Sequence, residues 1–177
     1  VDAAHSDFEG AAVYLEGRTE GTSLPDWWQM SNQNATDCRY GMVSTHADYS
    51  VLPQYGAGGT CKPAFGDRVP AGGVGLYSWY SNQMSVNAMW ATQEVNALEA
   101  GQEYFLCQLR IGAGNTVNGC AGCSVEAVWR LVKIVVGYTS AMEGLDVSDG
   151  NEYLFWQGRL PTPVRNTTWG QIKSLYR

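Results

Sequence analysis

The sequence predicts an all-β fold: an antiparallel β-sandwich, jelly-roll-like, with a short C-terminal helix. Three observations point there. Charged residues make up only 16% of the chain, and the helix-favouring Glu, Lys and Arg are scarce. Tyr, Trp, Thr and Val are plentiful beside 21 glycines, a composition suited to pleated strands joined by turns. Two long segments alternate apolar and polar residues with a period of two. A length of 177 residues fits one domain, 1–177, with a real core.

Taken in order, "GAAVYLEG" reads as a strand within an N-terminal strand or arm spanning residues 1–20. "AGGTCKPAFGDRVPAGG" reads as a long irregular loop, and "GGVGLYSWYSNQMSVNAMW" as two strands. "LEAGQEYFLCQLRI" starts with a turn at Ala100–Gly101 and continues as a strand over 102–111, with Phe105, Cys107, Leu109 and Ile111 on one face. "EAVWRLVKIVVGY" is the clearest strand, over 127–138. Val128, Val132, Ile134, Val136 and Tyr138 alternate onto one face, with Lys133 on the other and Arg130 breaking the apolar series. The loop "GAGNTVNGCAGC" makes these two strands expected antiparallel neighbours. "SDGN" (Ser148–Asn151) reads as a tight hairpin turn before a last strand, "EYLFWQG".

The ending "NTTWGQIKSLYR" differs in character. Thr168 and Gln171 form a capping box, and Trp169, Ile172 and Tyr176 fall on one helical face. Lys173 and Arg177 sit where cations suit the helix dipole. So short a helix is unstable alone in water, so the segment is expected to dock its apolar face in a groove, with Lys173 and Arg177 facing carboxylates.

The net charge of −6 argues against nucleic acid as a partner, and no apolar run is long enough to span a bilayer. A chain opening at Val1 with five cysteines reads as a mature secreted protein, extracellular or at the cell surface. Cys38 and Cys61 bracket a loop and are expected to pair, as are Cys120 and Cys123 of "CAGC". Cys107 is then the free, buried thiol. No βαβ pattern surrounds "CAGC" to support redox chemistry. Zinc lacks a second ligand pair, the only histidines being His5 and His46.

Several stretches together resemble an uncharacterised family of predicted secreted bacterial proteins. They are the tail motif Trp-Gly-x-Ile-Lys-x-x-Tyr-Arg (Trp169, Gly170, Ile172, Lys173, Tyr176, Arg177), "LPDWWQ", the Cys38/Cys61 loop, "AGQEYF", "NGCAGC" and "WQG". The resemblance covers most of the chain and implies a secreted location without a reaction. That pattern carries two further cysteines, near Val128–Trp129 and near Leu160. Both are missing here, which implies a lost disulfide and a tail held by packing alone.

No nucleophile elbow, zinc-protease motif or phosphate loop is present, and the one His-x-Asp pair, His46 and Asp48, reads as loop. The chain is therefore not read as an enzyme. Seven Trp and ten Tyr allow a glycan platform. Trp27 and Trp28 would point to opposite faces of a strand, so Tyr77 and Trp79, which share a face, are the better pair. Glu143, Asp146, Asp149 and Glu152, with Ser148 and Asn151, offer oxygens for a weak Ca2+ site. Asn34 and Asn166 stand in glycosylation triplets. Charge is divided unevenly: residues 1–150 carry 7 basic and 16 acidic groups, residues 151–177 carry 4 and 1. An acidic body with a basic end suits head-to-tail contact between copies. The expected function is an extracellular structural protein, a self-assembling filament or sheath subunit with other copies of itself as partner. The alternatives are a monomeric carbohydrate-binding or adhesive module with glycans as partner, and a hydrolase with an unrecognised carboxylate site.

Overall fold

The computed structural model describes residues 4–30, 35–47, 61–112, 119–147 and 152–156. In chain order these form β1 (His5–Thr19), a 3-10 turn (Asp26–Trp28), β2 (Val43–His46), β3 (Lys62–Pro63), β4 (Ala71–Tyr80) and β5 (Gln83–Leu98). Then follow β6 (Tyr104–Phe105), β7 (Gln108–Ile111), β8 (Ala127–Tyr138), β9 (Met142–Asp146) and β10 (Tyr153–Trp156). The expected all-β sandwich is present. A six-stranded antiparallel sheet runs β10-β8-β1-β5-β4, with β9 on the same edge of β8 as β10. Over one face of it lie the antiparallel β2–β7 ribbon, the short parallel β3–β6 bridge and the 3-10 turn. The C-terminal helix expected over 166–177 lies outside the described residues.

Strand β1 is the middle of the large sheet, paired along its length with β5 on one side and β8 on the other. Residues 5–19 thus form a strand paired on both edges within the chain. Its residues Ala11, Val13, Leu15 and Gly17 fall in register with Trp90, Ala88, Val86 and Met84 of β5. They also oppose Val136, Ile134, Leu131 and Trp129 of β8. This is the inner face. Toward one end it joins Trp27, Trp28, Val43, Leu76, Met84, Val86 and Trp129 in one buried cluster. Toward the other end it joins Phe8, Ala47, Ala64, Phe65, Leu98 and Val136 in a second. Trp90 Nε1 donates to Thr45 Oγ1 at 3.2 Å, tying the β2–β7 roof to the sheet between them.

Strand β8 has the predicted bounds, but its faces differ from the simple alternation. Tyr14 opposes Lys133 while the next residue, Leu15, opposes Leu131, so Val132 is an extra residue in β8. Such a bulge switches which parity points inward. Before it the buried residues are Ala127 and Trp129; after it they are Val136 and Tyr138. Val128, expected on the apolar face, is exposed, and Arg130 lies outside with its guanidinium 6.0 Å from the Tyr153 ring. Of the other expected core residues, Val136 is buried, Ile134 and Leu109 pack half-buried against the clusters, and Val132 and Phe105 are half-buried.

The predicted strand over 102–111 is two short strands. β6 pairs with β3 and β7 with β2, the chain changing partner at Leu106–Cys107. Strands β7 and β8 are not neighbours, because β7 belongs to the roof and β8 to the large sheet. The turn at Ala100–Gly101 is present: Gly101 takes a φ of 74°, a left-handed conformation open to glycine, and Gln102 N donates to Glu99 O. A hairpin is expected at Ser148–Asn151. Both β9 and β10 run antiparallel to β8, hence in the same direction, and Leu131 N at the bulge donates to Glu152 O at 2.7 Å. Those four residues lie outside the described set.

The cysteines pair differently from expectation. Cys38 is bonded to Cys120, 82 residues away, so neither Cys38–Cys61 nor Cys120–Cys123 forms. Cys120 comes beside Cys38 because the segment after the 3-10 turn and the segment before β8 both pack on the tryptophan cluster. Cys107 is a thiol, as expected, though half-buried. Burial raises its pKa above the ordinary 9.0, and a bond to Thr45 partly offsets this.

Candidate functional site

The two faces of the large sheet are built from opposite residue types. The inner face carries the large side chains. On the outer face, at the end near Phe8 and Tyr138, Met89, Ala12 and Val135 lie side by side across β5, β1 and β8. Beside them run Ala91, Gly10 and Gly137. Strand β4 extends these rows with Gly73 and Ala71, and β9 extends them with Gly144 and Met142. The result is a smooth apolar trough of about 380 Å³ whose floor is nearly free of side chains. Gly10 is required there, since a Cβ would lie 2.6 Å from the Trp90 carbonyl oxygen. Met89 and Met142 border the trough and are 57% and 83% exposed. An exposed apolar strip of this kind marks an interaction surface more often than a scattered exposed side chain does.

Carboxylates gather at one end of the trough. Glu9 lines it and accepts from Thr139 Oγ1 at 3.1 Å. Asp7 accepts from Ser140 Oγ at 3.5 Å. The Tyr138 phenol is pushed above its ordinary pKa by burial first, then by the charges of Glu143 and Asp7. Toward the other end the outer face turns polar, with Glu16, Ser85 and Arg130 in one row and Arg18 donating to Gln83 Oε1 at 3.0 Å.

A second concentration of chemistry lies on the inner side. The Trp27 and Trp156 rings stack at 5.1 Å, Trp28 meets both edgewise, and Trp28 tilts against Trp129 at 5.9 Å. The Arg39 guanidinium is buried 3.9 Å from the centre of the Trp27 ring, and its Nη2 donates to the Gly112 carbonyl. Burial lowers the Arg39 pKa, and the Cys123 group acts in the opposite sense. Trp156 Nε1 donates to the Cys123 carbonyl at 3.0 Å. The disulfide closes this cluster, which serves packing: Trp28 and Trp129 bury their indole N–H groups with no acceptor among the described residues.

The sequence-predicted site residues distribute as follows. Trp27 and Trp28 are both buried in the 3-10 turn, so neither serves a platform. Tyr77 and Trp79 stand in β4, Tyr77 opposite Ser85, but their side chains lie outside the description. Asp146 ends β9 and pairs with Lys133 through the backbone, while Glu152 lies next to β10 with Oε2 buried and no partner among the described residues. Asp149 and the Asp146 side chain lie outside the described set. Among the described residues no three His, Cys, Asp or Glu side chains converge as a metal site. Asn34, Asn166 and the tail residues Trp169, Ile172, Lys173, Tyr176 and Arg177 also lie outside it. His46 is exposed at the end of β2. Sequence reasoning passed over Met89, Met142 and Arg39. The available signal was the spacing of Gly and Ala at alternate positions in β1 and β4.

No described helix is long and apolar enough to cross a membrane. No family model, curated protein or solved structure matches this chain.

Proposed function

We propose that this chain is an extracellular structural protein whose copies assemble head to tail into a filament or sheath. In this reading the outer trough of one copy receives the basic C-terminal segment of the next. The observation that carries it is the trough itself: apolar, open, lined at one end by Glu9, with Asp7 on the neighbouring turn. The segment after Trp156 carries four cations, Arg159, Arg165, Lys173 and Arg177, and no acid. Its Trp169, Ile172 and Tyr176 supply the apolar face that such a trough accepts. The apolar contact dominates the energetics. Burying one large side chain contributes roughly 1.5–3 kcal/mol, against about 0–1 kcal/mol for an exposed ion pair.

Light scattering across a concentration series, with negative-stain imaging, tests this. Wild type forms long polymers that shorten as salt screens the acidic rim from the basic end. Met89→Glu, at an exposed position, gives a folded monomer with unchanged melting temperature. Deleting residues 157–177 does the same. A wild type that stays monomeric at every concentration, or a Met89→Glu variant that polymerises normally, overturns the reading.

A further inference from the structure

A second concave site, lined by Trp90 and the turn before β4, suggests an activity besides assembly. It occupies about 540 Å³ beside the second core cluster, within the range of about 300–1,000 Å³ usual for small-ligand sites. Its wall is a double turn over residues 63–68, in which Gly66 N donates to Pro63 O and Arg68 N to Phe65 O. Gly66 takes a φ of 60°, and the turn packs against β5. Arg68 locks it there: Nε donates to Glu94 at 3.2 Å and Nη1 to Asn96 Oδ1 at 3.2 Å. Asn96 in turn donates to the Ala64 carbonyl at 2.7 Å. On the other side stand His46 and Ala47, at the end of β2. Trp90 lines the site between them, its ring orientation held by the bond to Thr45. Val69, at the lip, is 94% exposed.

We propose that this pocket binds a neutral saccharide. A pyranose ring has an apolar C–H face and a rim of hydroxyl groups, and the lining offers the complement. Trp90 presents an aromatic surface for the C–H face. Asp67 supplies a carboxylate acceptor, Arg68 the N–H group left over from its own anchoring, and His46 a further polar contact. The Asp67 side chain makes no hydrogen bond within the described structure, whereas Arg68 is already fixed by two. The Arg68 guanidinium is therefore ordered before a ligand arrives, and the Asp67 carboxylate is open to accept from it. A purely apolar ligand would leave the Asp67 carboxylate and His46 without use. An anion would meet Asp67, with Glu94 already engaging the one guanidinium.

The test is calorimetric titration of the full chain with cellobiose, maltose and N,N′-diacetylchitobiose, one neutral disaccharide each of glucose β-linked, glucose α-linked and N-acetylglucosamine. We expect saturable binding of at least one. Asp67→Ala, an exposed change, lowers its affinity about tenfold or more, as loss of a hydrogen bond to a charged group does. Trp90→Phe keeps a ring in place and weakens binding less. A variant with Met89→Glu, whose assembly is blocked in the reading above, keeps the wild-type affinity, so the two proposals fail separately. Absence of saturable binding to all three sugars overturns the inference. So does an Asp67→Ala protein that binds like wild type.

Discussion

Gly17 shows how one residue sets a local structure. It lies opposite Trp129 across β1 and β8, and a Cβ there would stand 2.8 Å from the indole ring. The indole fills the space that a side chain would need, and it is 3% exposed. Gly17→Ala should therefore cost about 1–3 kcal/mol through overpacking, read from urea unfolding. A change within about 0.5 kcal/mol would mean that the ring moves aside freely. Titration gives a second prediction at this scale. The Cys107 thiol is held above the ordinary 9.0 by burial, with the Thr45 bond a smaller opposing effect. Cys61 is raised by burial and then by Glu103, and Tyr138 by burial and then by Glu143 and Asp7. The unfolded chain loses these protons at lower pH than the folded chain does. The stabilisation is thus complete below the unfolded values and is lost as pH rises beyond them through the higher folded ones. Melting temperature should fall above about pH 9, and Cys107→Val should blunt the fall.

At the scale of an element, β8 carries the most information. Its bounds follow from its own alternation, but its faces follow from β1. The extra residue at Val132 lets Trp129 and Val136 both point inward although they differ in parity. The same bulge explains the divided edge beside it, where β10 pairs before Val132 and β9 after it. Arg130 is then an outward residue near the Tyr153 ring, and not a charge in the core. Replacing it with Val should change stability by no more than about 1 kcal/mol, the scale of an exposed cation–π contact. Trp129→Ala should cost about 3–5 kcal/mol. Unfolding by guanidinium, with both variants measured together, checks the assignment. A large gain from Arg130→Val would place that position in the core after all.

At the scale of the whole molecule, the disulfide joins the two ends of a long excursion. Cys38 and Cys120 are 82 residues apart, and between them lie β2 to β7. Closing a loop of that length removes much unfolded-state entropy. Cys38→Ser should cost about 2–5 kcal/mol. Non-reducing peptide mapping should find one linked peptide holding Cys38 and Cys120, and Cys107 and Cys123 alkylated without reduction. A Cys120–Cys123 peptide in the native protein would contradict the arrangement. The charge layout belongs to this scale as well. Glu9 lines one end of the trough and Asp7 stands close by, each held by a hydroxyl of the turn after β8, while the last segment is basic.

Class and local units were legible in the chain's own residues. Period-two alternation marked β8 from Ala127 to Tyr138, and the stretch 72–90 read as two strands. Gly101 marked a reversal, and scarcity of helix formers marked the class. These are short-range properties, set by side-chain alternation and backbone conformation within a few residues. Which strand lies beside which, which cysteine meets which, and which face is roofed were decided only in three dimensions. Val128 and Trp129 make the reason plain. Alternation puts Val128 on the face of Val136, yet Trp129 is buried and Val128 exposed, because the extra residue at Val132 shifts the parity. The roof of β2 and β7 covers one side of the sheet, and register with β1 decides which residue faces it.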